Sequence, residues 1–207
     1  MKITNVKVYD LEESIVASGL PMMAEYDETE CEKAVRELFL CHLTGDIQDN
    51  PHFKRACKLA ANPAGSGHNN FLSGIVVSMN VTATQVWWMQ LERYHFVQIV
   101  SSQSKMHRLK EMMFSGKKIF NNNVCANFHG AFIDPEFWGD CHTEEEIIYS
   151  CPMGLELTAR VTTNYLQLKT IWNQRHNHKL AEWRQFCEWI ESLPFAKEFI
   201  TGENCRE

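Results

Sequence analysis

The amino-acid sequence predicts an α+β fold with antiparallel strands, formed by a single domain over residues 1–207. Three observations carry that expectation. Residues 75–83, IVVSMNVTA, alternate from Val77 onward, with Ile75, Val77, Met79 and Val81 on one face and Ser78, Asn80 and Thr82 on the other, the period of a half-buried strand. Residues 29–43 place Cys31, Ala34, Val35, Leu38, Phe39 and His42 at helical spacing, which makes an amphipathic helix. Strand-like and helix-like segments then follow each other in mixed order, the pattern of α+β architecture.

Taken in order, ITNVKVY at residues 3–9 mixes β-branched and aromatic side chains and reads as a strand. After the helix over 29–43, a second runs from Pro51 to Ala61, with Asn50 as its cap and proline in its first turn. NPAGSGHNN, residues 62–70, is too rich in Gly and Asn for regular structure. Thr84 can cap a helix that carries Val86, Trp87, Gln90, Leu91, Arg93 and Tyr94. Residues 113–145 read as irregular, and a loop that long in a compact chain is functional or mobile, a lid or an insertion. LELTARVTT, residues 155–163, is a further strand; helices follow at about 164–176 and 178–193, the last closed by Pro194.

Composition excludes several functions. With 44% hydrophobic and 22% charged residues the chain is ordinary globular protein. A formal charge of −6 argues against non-specific nucleic-acid binding, which needs a basic face. No apolar run is long enough to span a bilayer, and the N-terminus lacks the apolar core of a signal peptide, so a cytoplasmic protein is expected. Eight cysteines without a C-x-x-C read as reduced thiols. Cys141, His142 and Cys151 lack a fourth ligand at finger-like spacing, so no metal is expected.

Against that acidic background, QLERYHFVQIVSSQSKMHR (residues 90–108) gathers Arg93, His95, Lys105, His107 and Arg108 around Ser101, Ser102 and Ser104. Such a mixture suits an anion. Gln90 and Arg93, three apart, are expected on one helix face turned into a pocket, where a guanidinium can grip a carbonyl or phosphate with two parallel hydrogen bonds. The stretch from Ser101 to Arg108 fits a phosphate held by a loop and helix start, or equally a solvated helix capped by serine. Arg175 stands on the apolar stripe of Leu168, Ile171 and Trp172; a buried charge there needs a ligand or an ion pair. His68 follows two glycines that allow close backbone approach.

The order of these features resembles the flavin-dependent thymidylate synthases. In that family a Gly-His element precedes a strand, and a helix then leads into the signature R-H-R-x-x-S-x-N-x-x-S-x-R. Without gaps the signature falls on Arg93, Tyr94, His95, Gln98, Val100, Gln103 and Lys105. One inserted residue brings Ser101 and Ser104 onto its later Asn and Ser. Downstream, TTNYLQLKTIWNQR resembles the family's T-x-N-A-R-S-L-x-x-F-L-x-L-R, and AEWRQF its A-Q-x-E-I-R helix. The resemblance covers roughly residues 65–110 and 150–195. It departs at Tyr94 and His95, which replace His and Arg, at Leu166, which replaces the arginine of N-A-R-S-L, and at Ile148, where a phosphate-binding arginine is expected.

The resemblance implies a mainly antiparallel sheet flanked by long helices and a homotetramer whose flavin sites are each assembled from several subunits. It implies FAD held by His68, Asn70, Arg93, Tyr94, His95, Ser101 and Asn164. The nucleotide substrate, deoxyuridylate (dUMP), would meet Gln90, Arg93, Gln103, Ser104, Lys105 and Arg175, with Arg175 polarising the uracil ring. The implied reaction moves a one-carbon unit from methylenetetrahydrofolate to the pyrimidine 5-carbon, with NADPH as final reductant, and yields thymidylate. Two alternatives stand beside it: an enzyme making another 5-substituted pyrimidine nucleotide such as a hydroxymethyl derivative, and a non-catalytic nucleotide- or flavin-binding homologue.

Overall fold

A computed structural model describes residues 1–63, 65–138 and 143–202. Its strands are β1 (Lys2–Tyr9), β2 (Val76–Thr84), β3 (Gln98–Ser102) and β4 (Glu156–Asn164). They form one antiparallel sheet in the order β1-β2-β4-β3. The helices are α1 (Leu11–Ala17), α2 (Glu28–Thr44), α3 (Pro51–Ala60), α4 (Gln85–Leu91), α5 (Lys105–Phe114), α6 (Ala126–Ile133), α7 (Pro135–Trp138), α8 (Glu144–Ser150), α9 (Tyr165–Arg175) and α10 (Ala181–Glu191). The expected α+β class is what the chain adopts.

The alternation in β2 does what its period requires: Val77, Met79, Val81 and Ala83 are fully buried, while the intervening polar residues are only half-buried. Across the sheet those polar residues pair with β4. Ser78 Oγ lies 2.9 Å from Thr162 Oγ1, and Thr82 Oγ1 lies 2.7 Å from Thr158 Oγ1. These cross-strand pairs fix the register, because a slip of one residue would turn the valines to solvent.

The chain divides into two compact units. The first contains residues 1–5 and 79–161. Beyond the sheet it holds a core of its own, with Leu109 and Met113 of α5, Phe132 of α6, Trp138 of α7, Ile147 of α8 and Leu155 packed together. The second contains residues 6–78 and 162–207. There α9 packs on α10 and on a single π-helical turn, Lys197–Thr201. Phe53, Tyr165, Trp183, Phe186 and Phe199 fill its interior.

Three sequence expectations need correction, and one element had no expectation. The segment 113–145 is not irregular throughout, because it includes α6, α7 and the start of α8. Glycine, asparagine and proline punctuate these short helices without abolishing them, and Thr143 starts α8 with a capping box to Glu146. The helix after Thr84 stops at Leu91, so Arg93 follows it in a turn and shares no helical face with Gln90. Residues 98–102 are a strand. A seven-residue helix, α1, follows Asp10. The caps fare better: Asn50 Oδ1 accepts from the N–H groups of His52 and Phe53, and Thr84 Oγ1 from that of Trp87.

Candidate functional site

The residues singled out in sequence fall into two groups, one in each unit. Gln90, Arg93, Tyr94, His95, Ser101, Gln103, Ser104 and Lys105 belong to the first; His68, Asn70, Asn164 and Arg175 belong to the second.

In the first group, α4 ends at Leu91 and the chain turns through Arg93 and His95 into β3. Trp87 and Trp88 are buried and anchor that turn; the Trp88 indole N–H donates to the carbonyls of Ala83 and Leu157, both at 3.1 Å. The apolar run at 86–96 is therefore partly absorbed inside the unit, leaving Met89 and Phe96 exposed. Tyr94 is buried too. Arg93, His95 and Ser101 are exposed, and their side chains make no hydrogen bond or ion pair among the described residues. They present a guanidinium, an imidazole and a hydroxyl to an incoming anion.

The remaining side chains of this group hold local structure. Gln103 and Thr158 bond twice: Gln103 N–H donates to the Thr158 carbonyl at 2.9 Å, and Gln103 Oε1 accepts from Thr158 N–H at 2.8 Å. Ser104 caps α5, accepting from His107 N–H at 3.3 Å, the serine-capped helix start foreseen as the plainer reading. Lys105 Nζ donates to Gln85 Oε1 at 3.3 Å.

In the second group, His68 and Asn70 are exposed. Between them Asn69 is fully buried, and its amide donates to the carbonyls of Asn62 at 2.8 Å and Pro63 at 3.2 Å. Buried Lys169 of α9 donates to the carbonyls of Ala60 and Asn62. Its ammonium satisfies carbonyls freed at the end of α3. Sequence reading passed over Asn69 and Lys169, yet they fix the loop that presents His68. A lysine on the buried stripe of α9 was the available clue.

Asn164 is the cap of α9, its Oδ1 accepting from Gln167 N–H at 2.9 Å. Arg175 stands in the last turn of the same helix. Eleven residues at 1.5 Å each separate them by about 16 Å along the axis, so they do not converge on one small ligand within a chain. The Arg175 guanidinium lies over the Trp183 ring, 4.9 Å from its centroid. Stacking of this kind orients the planar fork before a ligand arrives. Near it, His178 Nδ1 accepts from Leu180 N–H at 3.1 Å. Burial, then the charges of Arg175 and Arg184, lower the His178 pKa, so its ring is neutral near pH 7 with the proton on Nε2.

Six cysteines among the described residues are free thiols. Burial raises Cys151 to about 11 and Cys187 to about 12, which makes both poor nucleophiles. Cys141 and His142 lie outside the described residues. Among the described residues no helix is long and apolar enough to cross a membrane.

No family model and no curated protein matches the sequence. Solved structures do match. A flavin-dependent thymidylate synthase, ThyX, from Helicobacter pylori, complexed with FAD and dUMP, superposes with a TM-score of 0.67 at 12% identity over 100% of both chains. A second structure of the Helicobacter pylori enzyme with FAD and dUMP gives 0.63 at 14% identity, covering 99% of this chain and 98% of that one. At such identities the likeness establishes architecture, and it does so from end to end: the chain has the fold of the flavin-dependent thymidylate synthases.

Proposed function

We propose that this protein is a divergent flavin-dependent thymidylate synthase, transferring a one-carbon unit to the 5-position of deoxyuridylate. The observation that carries this reading is the full-length likeness to an enzyme whose structure holds FAD and dUMP. The residues fit such ligands. Arg93, His95 and Ser101 are exposed and unengaged among the described residues, as an anion site requires. His68 and Asn70 sit on a loop fixed from behind by Asn69 and Lys169. FAD, when bound, supplies the redox chemistry of the methyl transfer, with methylenetetrahydrofolate as carbon donor and NADPH as reductant.

The chain's own contribution is positioning and electrostatics. Arg93 would hold phosphate oxygens of flavin and nucleotide, aided by Gln90, Gln103, Ser104 and Lys105; His95, Ser101 and Asn164 complete the flavin set. Arg175, preset on Trp183, would donate to the uracil carbonyl and stabilise negative charge as the 5-carbon becomes nucleophilic. Because Asn164 and Arg175 sit at opposite ends of α9, the reading includes a homotetramer in which each site draws on more than one subunit. A cytoplasmic location belongs to the same proposal.

A buried Tyr94 favours a second reading. The signature's second position, histidine in the family, is here turned into the core, as fits an enzyme making a different 5-substituted pyrimidine nucleotide or a binding homologue. The absorbance spectrum of the purified protein decides first. Flavin bands, or quenching of FAD fluorescence on titration, are expected; a colourless protein that quenches nothing rejects the proposal. The mass of the product nucleotide then separates methyl from hydroxymethyl transfer, and light scattering tests the tetramer against the 24.0 kDa chain.

A further inference from the structure

In the first unit a cavity of about 470 Å³ is lined by the C-terminal half of α5, the turn after it, and residues of β2 and β4. Its lining groups have bonding capacity left over. Thr82 and Thr158 share one hydroxyl–hydroxyl bond of 2.7 Å, which leaves one O–H free to donate. Gln103 spends its carbonyl on Thr158 N–H, and its amide N–H groups have no acceptor among the described residues. Glu156 accepts from Asn121 Nδ2 on one oxygen at 3.0 Å; the other takes no donor among the described residues.

On the same cavity Lys117 and Lys118 are exposed, and neither has a carboxylate partner among the described residues. Nearby Arg108 does have one, Glu111 at 2.8 Å. What sets these two apart is their place, side by side on the wall of a cavity. The strands thus offer an amide donor, a hydroxyl donor and a carboxylate acceptor, and the turn offers a double positive charge. One chemical class answers all of these: a planar base edge with an N–H beside an acceptor, joined to a phosphate chain. The volume lies in the range of small-molecule sites, roughly 300–1,000 Å³.

We propose that this cavity binds a nucleoside di- or triphosphate, its phosphates on Lys117 and Lys118 and its base against Gln103 and Glu156. Only Gln103 is shared with the residues assigned to deoxyuridylate, and Arg93, His95 and Arg175 take no part. The site stands whether or not the chain carries flavin.

Calorimetric titration of the full chain with UTP, GTP, ATP and pyrophosphate tests it. At least one nucleotide should bind roughly tenfold or more tighter than pyrophosphate, the difference one or two extra charge-assisted hydrogen bonds supply. Replacing both lysines with glutamine should weaken nucleotide and pyrophosphate alike by tenfold or more. Glu156→Gln keeps an acceptor for Asn121 but turns the free oxygen into an N–H donor, so it should weaken the nucleotide alone. Nucleotides no tighter than pyrophosphate, meaning an anion patch only, would overturn the inference. So would nucleotide binding indifferent to both variants while their melting curves match the parent. Flavin absorbance and FAD quenching of the same samples keep the two proposals apart: nucleotide bound by colourless protein that quenches no FAD sustains this one and rejects the flavin reading, and the converse result does the reverse.

Discussion

Arg93 and Arg175 are both arginines at the end of a helix, and the chain treats them in opposite ways. Arg93 follows α4 in an exposed turn with no partner among the described residues. Arg175 is half-buried at the end of α9, its guanidinium over Trp183. A free arginine keeps its rotamer entropy until a ligand arrives, so it attracts anions through solvent and responds to salt. A stacked arginine has lost that freedom in folding and delivers its hydrogen bonds at a set angle. The first kind suits binding and the second suits a reacting carbonyl.

Breaking the second should cost most. Arg175→Ala is expected to lower single-turnover rate by about 10²–10³, the usual loss of one preorganised donor to developing charge, while flavin absorbance persists. Arg175→Lys should recover little, since an ammonium offers no planar fork. A destabilised Arg175→Ala protein with full activity per folded molecule would reduce Arg175 to a structural role.

Arg93→Ala should weaken FAD and nucleotide binding by about 10- to 100-fold, as removal of a charged hydrogen-bond donor does. It should also flatten the dependence of affinity on ionic strength, measured by fluorescence titration at two salt concentrations. An affinity loss that is equal at both would contradict the exposed-anion role.

Smaller effects separate capping from ligand binding at Asn164. Asn164→Ala removes the cap of α9 and should cost about 1 kcal/mol of stability, read by denaturant melting. Asn164→Asp caps equally well but has no N–H to give a flavin. It should therefore melt like the parent and bind FAD more weakly, and unchanged FAD affinity would leave Asn164 as a cap alone.

The smallest effect is a pH dependence beside Arg175. The folded His178 pKa lies below the ordinary imidazole value, chiefly through burial. Between the two values the unfolded chain binds more protons, so stability falls as pH drops through that window and is unaffected well above it. His178→Asn keeps a short acceptor for Leu180 N–H and should make the melting temperature less sensitive to acid. The residual slope belongs partly to His52, lowered in the same direction by burial and by Arg55.

The two regions also differ in how far sequence revealed them. Around α9 the pattern was explicit: Asn164 as cap, Leu168 and Ile171 as stripe, and Pro194 as stop all describe local chemistry. Near Arg93 it was not. The strand β3 is exposed at every residue, so no alternation of burial shaped its sequence, and nothing in QIVSS announces a strand. The end of α4 was placed late because nothing local forbids helix through Tyr94; the backbone departs to lead into β3. The capping box at Thr143 was present in T-E-E-E but lay within a stretch dismissed for its glycines and prolines. Which groups meet Arg175 was invisible, because Trp183 comes from the next helix.

Phe195 carries a last consequence. Its φ of 53° places a bulky residue in the left-handed region, a conformation costing roughly 1–2 kcal/mol. Its ring is gripped by His42 at 4.7 Å, Phe53 at 4.9 Å and Phe199 at 6.0 Å. The strained hinge and the aromatic clasp therefore oppose each other at a single residue. Loss of the ring contacts would leave nothing to hold the left-handed backbone at Phe195, directly before the π-helical turn. We expect opening of residues 195–201 to be cooperative, governed by one side chain, so amide exchange across 195–201 should proceed as a unit and protease cuts should cluster there before the remaining helices yield.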